Sequence, residues 1–255
     1  MKSHSLYHAF PVLMMLAALA LSGCGREEIA ADLDPPAAPH FVPRSADTAL
    51  VEQGVDAVPE GDWIHLVWEP GPEPDLEGYR LYRRAVDDTA DIEMHLIADL
   101  PLAELPDLNQ PGYLDNDPAL APHSQTGITG GFRYFIGAYD EAGNESGLTD
   151  SIYYRLLPKP SLTQPVQQDS ALVLSWSYSL AAAFQVDYFV VRLFRAEGGG
   201  WTPFWTLKYN LFNPLQVIYP EIPDPGQYLF QVDVVGAGSS AEPAGSEAAL
   251  EFMVL

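Results

Sequence analysis

Alternating apolar and polar residues, cut into short runs by proline and glycine, occur twice along this chain in the same order. No other feature limits the fold as sharply. In the first pass Ile64, Leu66 and Trp68 fall on one side of an extended run, as the two-residue period of a strand requires. Glu69-Pro70-Gly71-Pro72-Glu73-Pro74-Asp75 stops that run. Residues 78–84 resume it, with Tyr79 and Leu81 facing away from Arg80 and Tyr82, and 94–100 is a shorter apolar run. Residues 131–139 gather Phe132, Tyr134, Ile136 and Ala138 on one side; 140–146 is a polar turn and 151–156 closes the unit.

The second pass follows suit. Leu172-Val173-Leu174-Ser175-Trp176 matches 64–68, residues 187–195 match 78–84, and 225–234 match 131–138 with Tyr228, Phe230, Val232 and Val234 inward. Residues 250–255 close it. Leu157-Pro158-Lys159-Pro160 separates the two passes, because prolines lack the amide hydrogens a central strand needs. The pattern holds no helical run of useful length, and 20 glycines with 23 prolines suit many short strands joined by turns. The prediction is an all-β protein of two tandem antiparallel β-sandwiches, over 44–157 and 158–255.

These residues resemble the fibronectin type III family, an immunoglobulin-like sandwich, over roughly residues 35–255. The resemblance rests on a tryptophan ending the second strand (Trp68, Trp176), a tyrosine-bearing third strand (Gly78-Tyr79-Arg80-Leu81-Tyr82; Tyr188), and the entry to the sixth (Pro225-Gly226-Gln227-Tyr228). Ala138-Tyr139-Asp140-Glu141-Ala142-Gly143-Asn144-Glu145-Ser146 looks like the bacterial version of the turn between the last two strands. The family's corner tyrosine opens the sixth strand and bonds back upstream. Tyr228 matches that position, whereas Phe132 takes it in the first unit, implying a lost hydrogen bond worth about 1 kcal/mol. The second unit has Gly236-Ala237-Gly238-Ser239-Ser240 in place of the polar turn.

The amino terminus reads as an address. Lys2 precedes a 13-residue apolar run, 9–21. That is too short for a hydrocarbon core needing roughly 20 helical residues, but it suits the apolar region of a signal peptide. Leu21-Ser22-Gly23-Cys24 then resembles the lipobox of bacterial lipoproteins, and Cys24 is the chain's one cysteine. The resemblance implies a signal peptide over 1–23 and lipidation of Cys24 by a diacylglycerol and an acyl chain such as palmitate; two or more chains anchor stably where one does not. Gly25 in place of Asp implies the outer membrane in a Gram-negative cell. Residues 24–43, with Pro35-Pro36-Ala37-Ala38-Pro39, read as a polyproline-favouring tether.

Chemistry is sparse by comparison. A net charge of -23 disfavours nucleic acid and a polybasic membrane foot. One cysteine allows no internal disulfide, and Gly-x-Ser-x-Gly, Gly-x-x-x-x-Gly-Lys and His-Glu-x-x-His are missing from the sequence. His40, His65, His95 and His123 have no ligand spacing. Two leads remain. Asp115 and Asp117, alternating around Asn116 in a proline-rich loop, offer oxygens for calcium, with a solvated turn as the plain reading. Trp201, Trp205 and Tyr209 follow a glycine run and would make an apolar platform for a sugar or protein if they shared an exposed face, or core if they did not.

The expectation is therefore a non-catalytic, lipid-anchored envelope protein, without a cofactor unless calcium, that acts in protein or glycan binding, adhesion or scaffolding. A hydrolase, or an accessory subunit of one, acting on extracellular polysaccharide and a passive spacer are the alternatives.

Overall fold

The computed structural model describes residues 32–86, 93–121, 130–149, 151–180, 182–210, 214–236 and 243–255. The expected signal peptide and Cys24, the expected acylation site, lie outside them, as does His123. Asp34–Leu255 forms one compact unit.

The first module holds β1 (Asp56–Ala57), β2 (Ile64–Val67), β3 (Leu76–Ala85), β4 (His95–Pro101), β5 (Gly112–Asp115), β6 (Phe132–Asp140) and β7 (Ile152–Leu156). The second holds β8 (Ser161–Gln168), β9 (Ala171–Ser177), β10 (Val186–Glu197), β11 (Gly200–Tyr209), β12 (Gln216–Tyr219), β13 (Gly226–Gly236) and β14 (Ala244–Val254). In the first, β1-β2-β5 form one sheet while β4-β3-β6-β7 lie side by side; in the second, β8-β9-β12 and β11-β10-β13-β14 repeat the order. Three strands against four, in this order, is the fibronectin type III-like sandwich, so the all-β expectation holds.

Each core follows the alternation. Ile64, Leu66, Trp68, Tyr79, Leu81, Tyr134, Ile136 and Ala138 are buried together in the first module. Trp176, Phe189, Val191, Leu193, Tyr228, Phe230, Val232 and Val234 are buried together in the second. Trp68 meets Tyr79 edge to face at 5.3 Å, and Trp176 meets Phe189 likewise at 5.6 Å, a geometry that adds to simple burial.

The first module lacks the corner bond, as expected, but gains another. Phe132 cannot make the bond, but Tyr134, two residues on and buried, donates its hydroxyl to Asp115 Oδ2 at 2.9 Å. Tyr228 donates to the Asp224 carbonyl at 2.7 Å, as the resemblance implied.

The modules share more than a linker. β7 and β14 pair in parallel, Arg155 with Ala244 and Leu156 with Gly245. The Arg155 amide donates to the Pro243 carbonyl at 3.2 Å and the Leu157 amide to that of Gly245 at 2.9 Å. The two four-stranded layers thereby become one eight-stranded sheet. Gly245 permits the close approach: a Cβ there would stand 2.7 Å from the Tyr154 hydroxyl and 2.9 Å from the Val234 carbonyl. Ser246 Oγ donates to the Pro158 carbonyl and Lys159 Nζ to that of Val58, at 2.8 and 2.6 Å.

The expected tether is shorter than 24–43. Pro36 and Pro39 are buried, Phe41 bridges to Trp68, and the Val42 amide donates to the Val67 carbonyl at 3.0 Å. The prolines keep this segment extended, as read, but extended backbone with free amides just beyond them pairs with β2. Residues 44–55 then run on as a strap from the first module to β10 of the second.

Candidate functional site

Asp115 and Asp117 come together, but around a guanidinium. Arg83 Nη1 donates to Asp115 Oδ2 at 2.7 Å and Nη2 to Asp117 Oδ2 at 2.6 Å. Asp115, buried, also accepts the Tyr134 hydroxyl and the Asp117 amide. Asp117 caps the turn that follows by accepting the Ala119 amide, and that bond, with Arg83, holds its carboxyl below the ordinary range. Arg83 fills the place the calcium reading assigned to a cation, because β3 brings it across the loop from a position the local sequence does not reveal.

Trp201, Trp205 and Tyr209 do not share a face. The β10–β11 register shifts between Leu193, which faces Trp205, and Phe194, which faces Pro203, so Phe204 is an inserted residue. Such a bulge turns every residue beyond it to the other side. Trp205 and Tyr209 therefore pack on the second core, Tyr209 edge to face with Trp176 at 5.3 Å. Trp201 lies on the opposite side, 37% exposed. The shared platform is replaced by a single tryptophan on one side.

That side opens into the feature the sequence does not announce, a cleft of about 650 Å³ between the modules. Leu50, Val51 and Gln53 of the strap, His65 of β2, and Trp201 and Gln231 of the second module line it. Its floor is charged. Arg192, 1% exposed, donates from Nε to the Ala49 carbonyl at 3.3 Å and from Nη2 to that of Asp47, and pairs with Glu52 Oε1 at 2.9 Å. Asp233 Oδ2 stands 3.9 Å from Arg192 Nη1. Around it, Tyr188 donates to Asp47 at 3.2 Å and Tyr154 to Asp56 at 2.7 Å. Arg44 pairs with Asp47 and lies 3.7 Å from Asp56.

Asp47, Glu52, Asp56, Asp233 and Glu247 thus gather against the guanidiniums of Arg44 and Arg192, with Lys159 at the margin. Burial penalises so many carboxylates in low dielectric. It pushes Glu52 up to about 7, helped by Asp56, and raises Asp56, Asp233 and Glu247 as well. Glu52 and Glu247 share a hydrogen bond, which requires a proton on one of them. Oxygens of Asp47, Glu52 and Asp233 lie within 4.8 Å of one another, a spacing a metal ion could bridge, but Arg192 already supplies positive charge there. The floor is built to hold protons and to clamp the strap.

No family model matches the chain, and no curated protein does. Among solved structures, it is similar to the FN1–FN3 domains of chicken CNTN1, at 13% identity and a TM-score of 0.34. That match covers 86% of this chain and 66% of the other. It is also similar to the spore cortex lytic enzyme SleM of Clostridium perfringens, at 19% identity and a TM-score of 0.29, over 47% of this chain and 28% of the other. Strand order and the two buried cores, rather than these likenesses, define the sandwiches.

Proposed function

We propose that this protein is a non-catalytic lipoprotein, anchored in the bacterial envelope through lipid on Cys24, whose fused modules present a binding surface to a protein or glycan. The carrying observation is the cleft between the modules. One wall is the strap, the other is the exposed Trp201 with Gln231, and the Arg192 cluster fixes both walls against each other. Aromatic and amide groups side by side suit a ligand with both apolar and hydroxyl-bearing or amide faces. The lipobox resemblance supports the anchor, and in a Gram-negative cell Gly25 supports the outer membrane.

Two variants test the reading separately. Cys24→Ser should move the protein from the membrane pellet to the soluble fraction; continued sedimentation with lipid refutes the anchor. Trp201→Ala, in an otherwise anchored and folded protein, should abolish the partner captured by crosslinking on intact cells. An unchanged crosslinking pattern refutes the cleft as the recognition surface.

A further inference from the structure

The β11 bulge has a second effect, at the opposite side of the strand from Trp201. It directs both Phe204 and Trp205 toward Tyr219 of β12, with ring centroids 5.9 and 5.5 Å away and interplanar angles of 82° and 73°. Trp205 is packed on the core, whereas Phe204 stays 40% exposed. Phe204 and Tyr219 thus form two walls at nearly a right angle in a pocket of about 300 Å³. Tyr228 braces Phe204 from beneath at 5.9 Å, and its hydroxyl bond to Asp224 fixes the neighbouring loop. Ile222 and Pro223 complete the apolar lining.

The rim is acidic. Glu197, Glu221 and Asp224 surround the pocket against one guanidinium, Arg195, which lies 3.8 Å from Glu197 and 3.7 Å from Asp224. Burial and then the Glu221 charge raise the Tyr219 hydroxyl, placing that carboxylate beside the aromatic wall. Elsewhere the protein supplies its own cations to aromatic faces: Arg44 to Tyr154, Arg80 to Tyr139, Arg83 to Phe132 and Lys208 to Tyr188. Among the described residues none stands over Phe204 or Tyr219 in this way.

We propose that this pocket binds a methylated ammonium group. Ring faces attract a cation through their quadrupole, and the apolar side chains of Phe204, Ile222 and Pro223 suit the methyl groups of a nitrogen that carries no N–H. The carboxylates of Glu221 and Asp224 supply the countercharge from the rim, and the net charge of -23 raises the local concentration of cations. The bulge is then a device that re-aims one aromatic side chain, a common use of bulges near sites.

Calorimetric titration of the full chain with choline tests this against 3,3-dimethylbutanol, which has the same shape without the charge. Choline should bind saturably and the neutral alcohol about fivefold or more weakly; equal binding, or no choline binding, overturns the proposal. Phe204→Leu, which keeps an apolar side chain at the bulge, should weaken choline by a similar factor, and so should Glu221→Gln on the exposed rim. Binding unaffected by both places the ligand elsewhere and overturns it too. Phosphocholine separates a free cation from a lipid headgroup: the acidic rim should make it the weaker ligand, and a clear preference for it over choline overturns the role given to Glu221 and Asp224.

Discussion

Arg83, half-buried, and Arg192, buried, each carry a guanidinium that ties a loop to a sheet, in contrasting electrostatic settings. Arg83 serves two carboxylates within one module and meets each at hydrogen-bond distance. Asp117 keeps part of its charge in water, with its side chain 43% exposed. Arg192 sits between modules among a surplus of carboxylates, and Asp233 Oδ2 and its own Nη1 find no hydrogen-bond partner. The first arrangement settles its charges by geometry. The second settles them by protonation, so the joint between the modules depends on pH where the first module's loop does not depend on it in the same way.

Removing Arg192 should have the largest effect. Arg192→Leu leaves Glu52, Asp233 and Glu247 buried without their central countercharge and frees the strap, at a cost of about 3–5 kcal/mol, readable by urea denaturation. Arg83→Leu should cost less, about 2 kcal/mol, because Asp117 can turn to water while Asp115 keeps the Tyr134 hydroxyl. Equal losses would mean that charge surplus at the joint is irrelevant to its stability.

Acid separates the two regions by sign. Glu52 binds its proton more tightly folded, near pH 7, than unfolded, so its contribution is present below the ordinary carboxylate range and is lost as pH rises toward 7. Asp117 is depressed, so its contribution is present above that range and lost as pH falls through it. The thermal midpoint should rise by on the order of 3 °C between pH 8 and pH 5, and Glu52→Gln should flatten that rise. The rise surviving in Glu52→Gln would move the titration to other groups. The smallest effect belongs to Tyr228→Phe, about 1 kcal/mol, against a larger loss for Tyr134→Phe, which also takes a donor from buried Asp115.

Much of this was legible in the chain. Period two in residues 64–68 and 172–176 gives strand and inward face together, since a side chain's direction follows from its parity. Leu157-Pro158-Lys159-Pro160 lies between β7 and β8, where its paired prolines imply a divide. Parity fails where a residue is inserted: Trp201 and Trp205, four apart, read as neighbours until the bulge at Phe204 separates them. Arg192 alternates like any outward polar residue, and only the strap, some 140 positions earlier, buries it. The β7–β14 pairing has no local signal, because parallel pairing over two residues leaves each strand's own pattern unchanged. The candidate site was unreadable for that reason: its walls come from segments that never approach one another in sequence.

The parallel joint also protects the protein from itself. A strand at the margin of a sheet offers unpaired amides and carbonyls to any passing chain, and two separate sandwiches would each expose one at β7 and β14. Here each caps the other over two residues, Arg155 and Leu156 against Ala244 and Gly245. The eight-stranded sheet ends instead at β4 and β11, where Asp99 pairs with Arg80 and where Pro203 and the bulge interrupt the ladder. Prying the modules apart would therefore free the backbone groups of both short stretches at once, and aggregation, before loss of secondary structure, would be the first sign that the joint had failed.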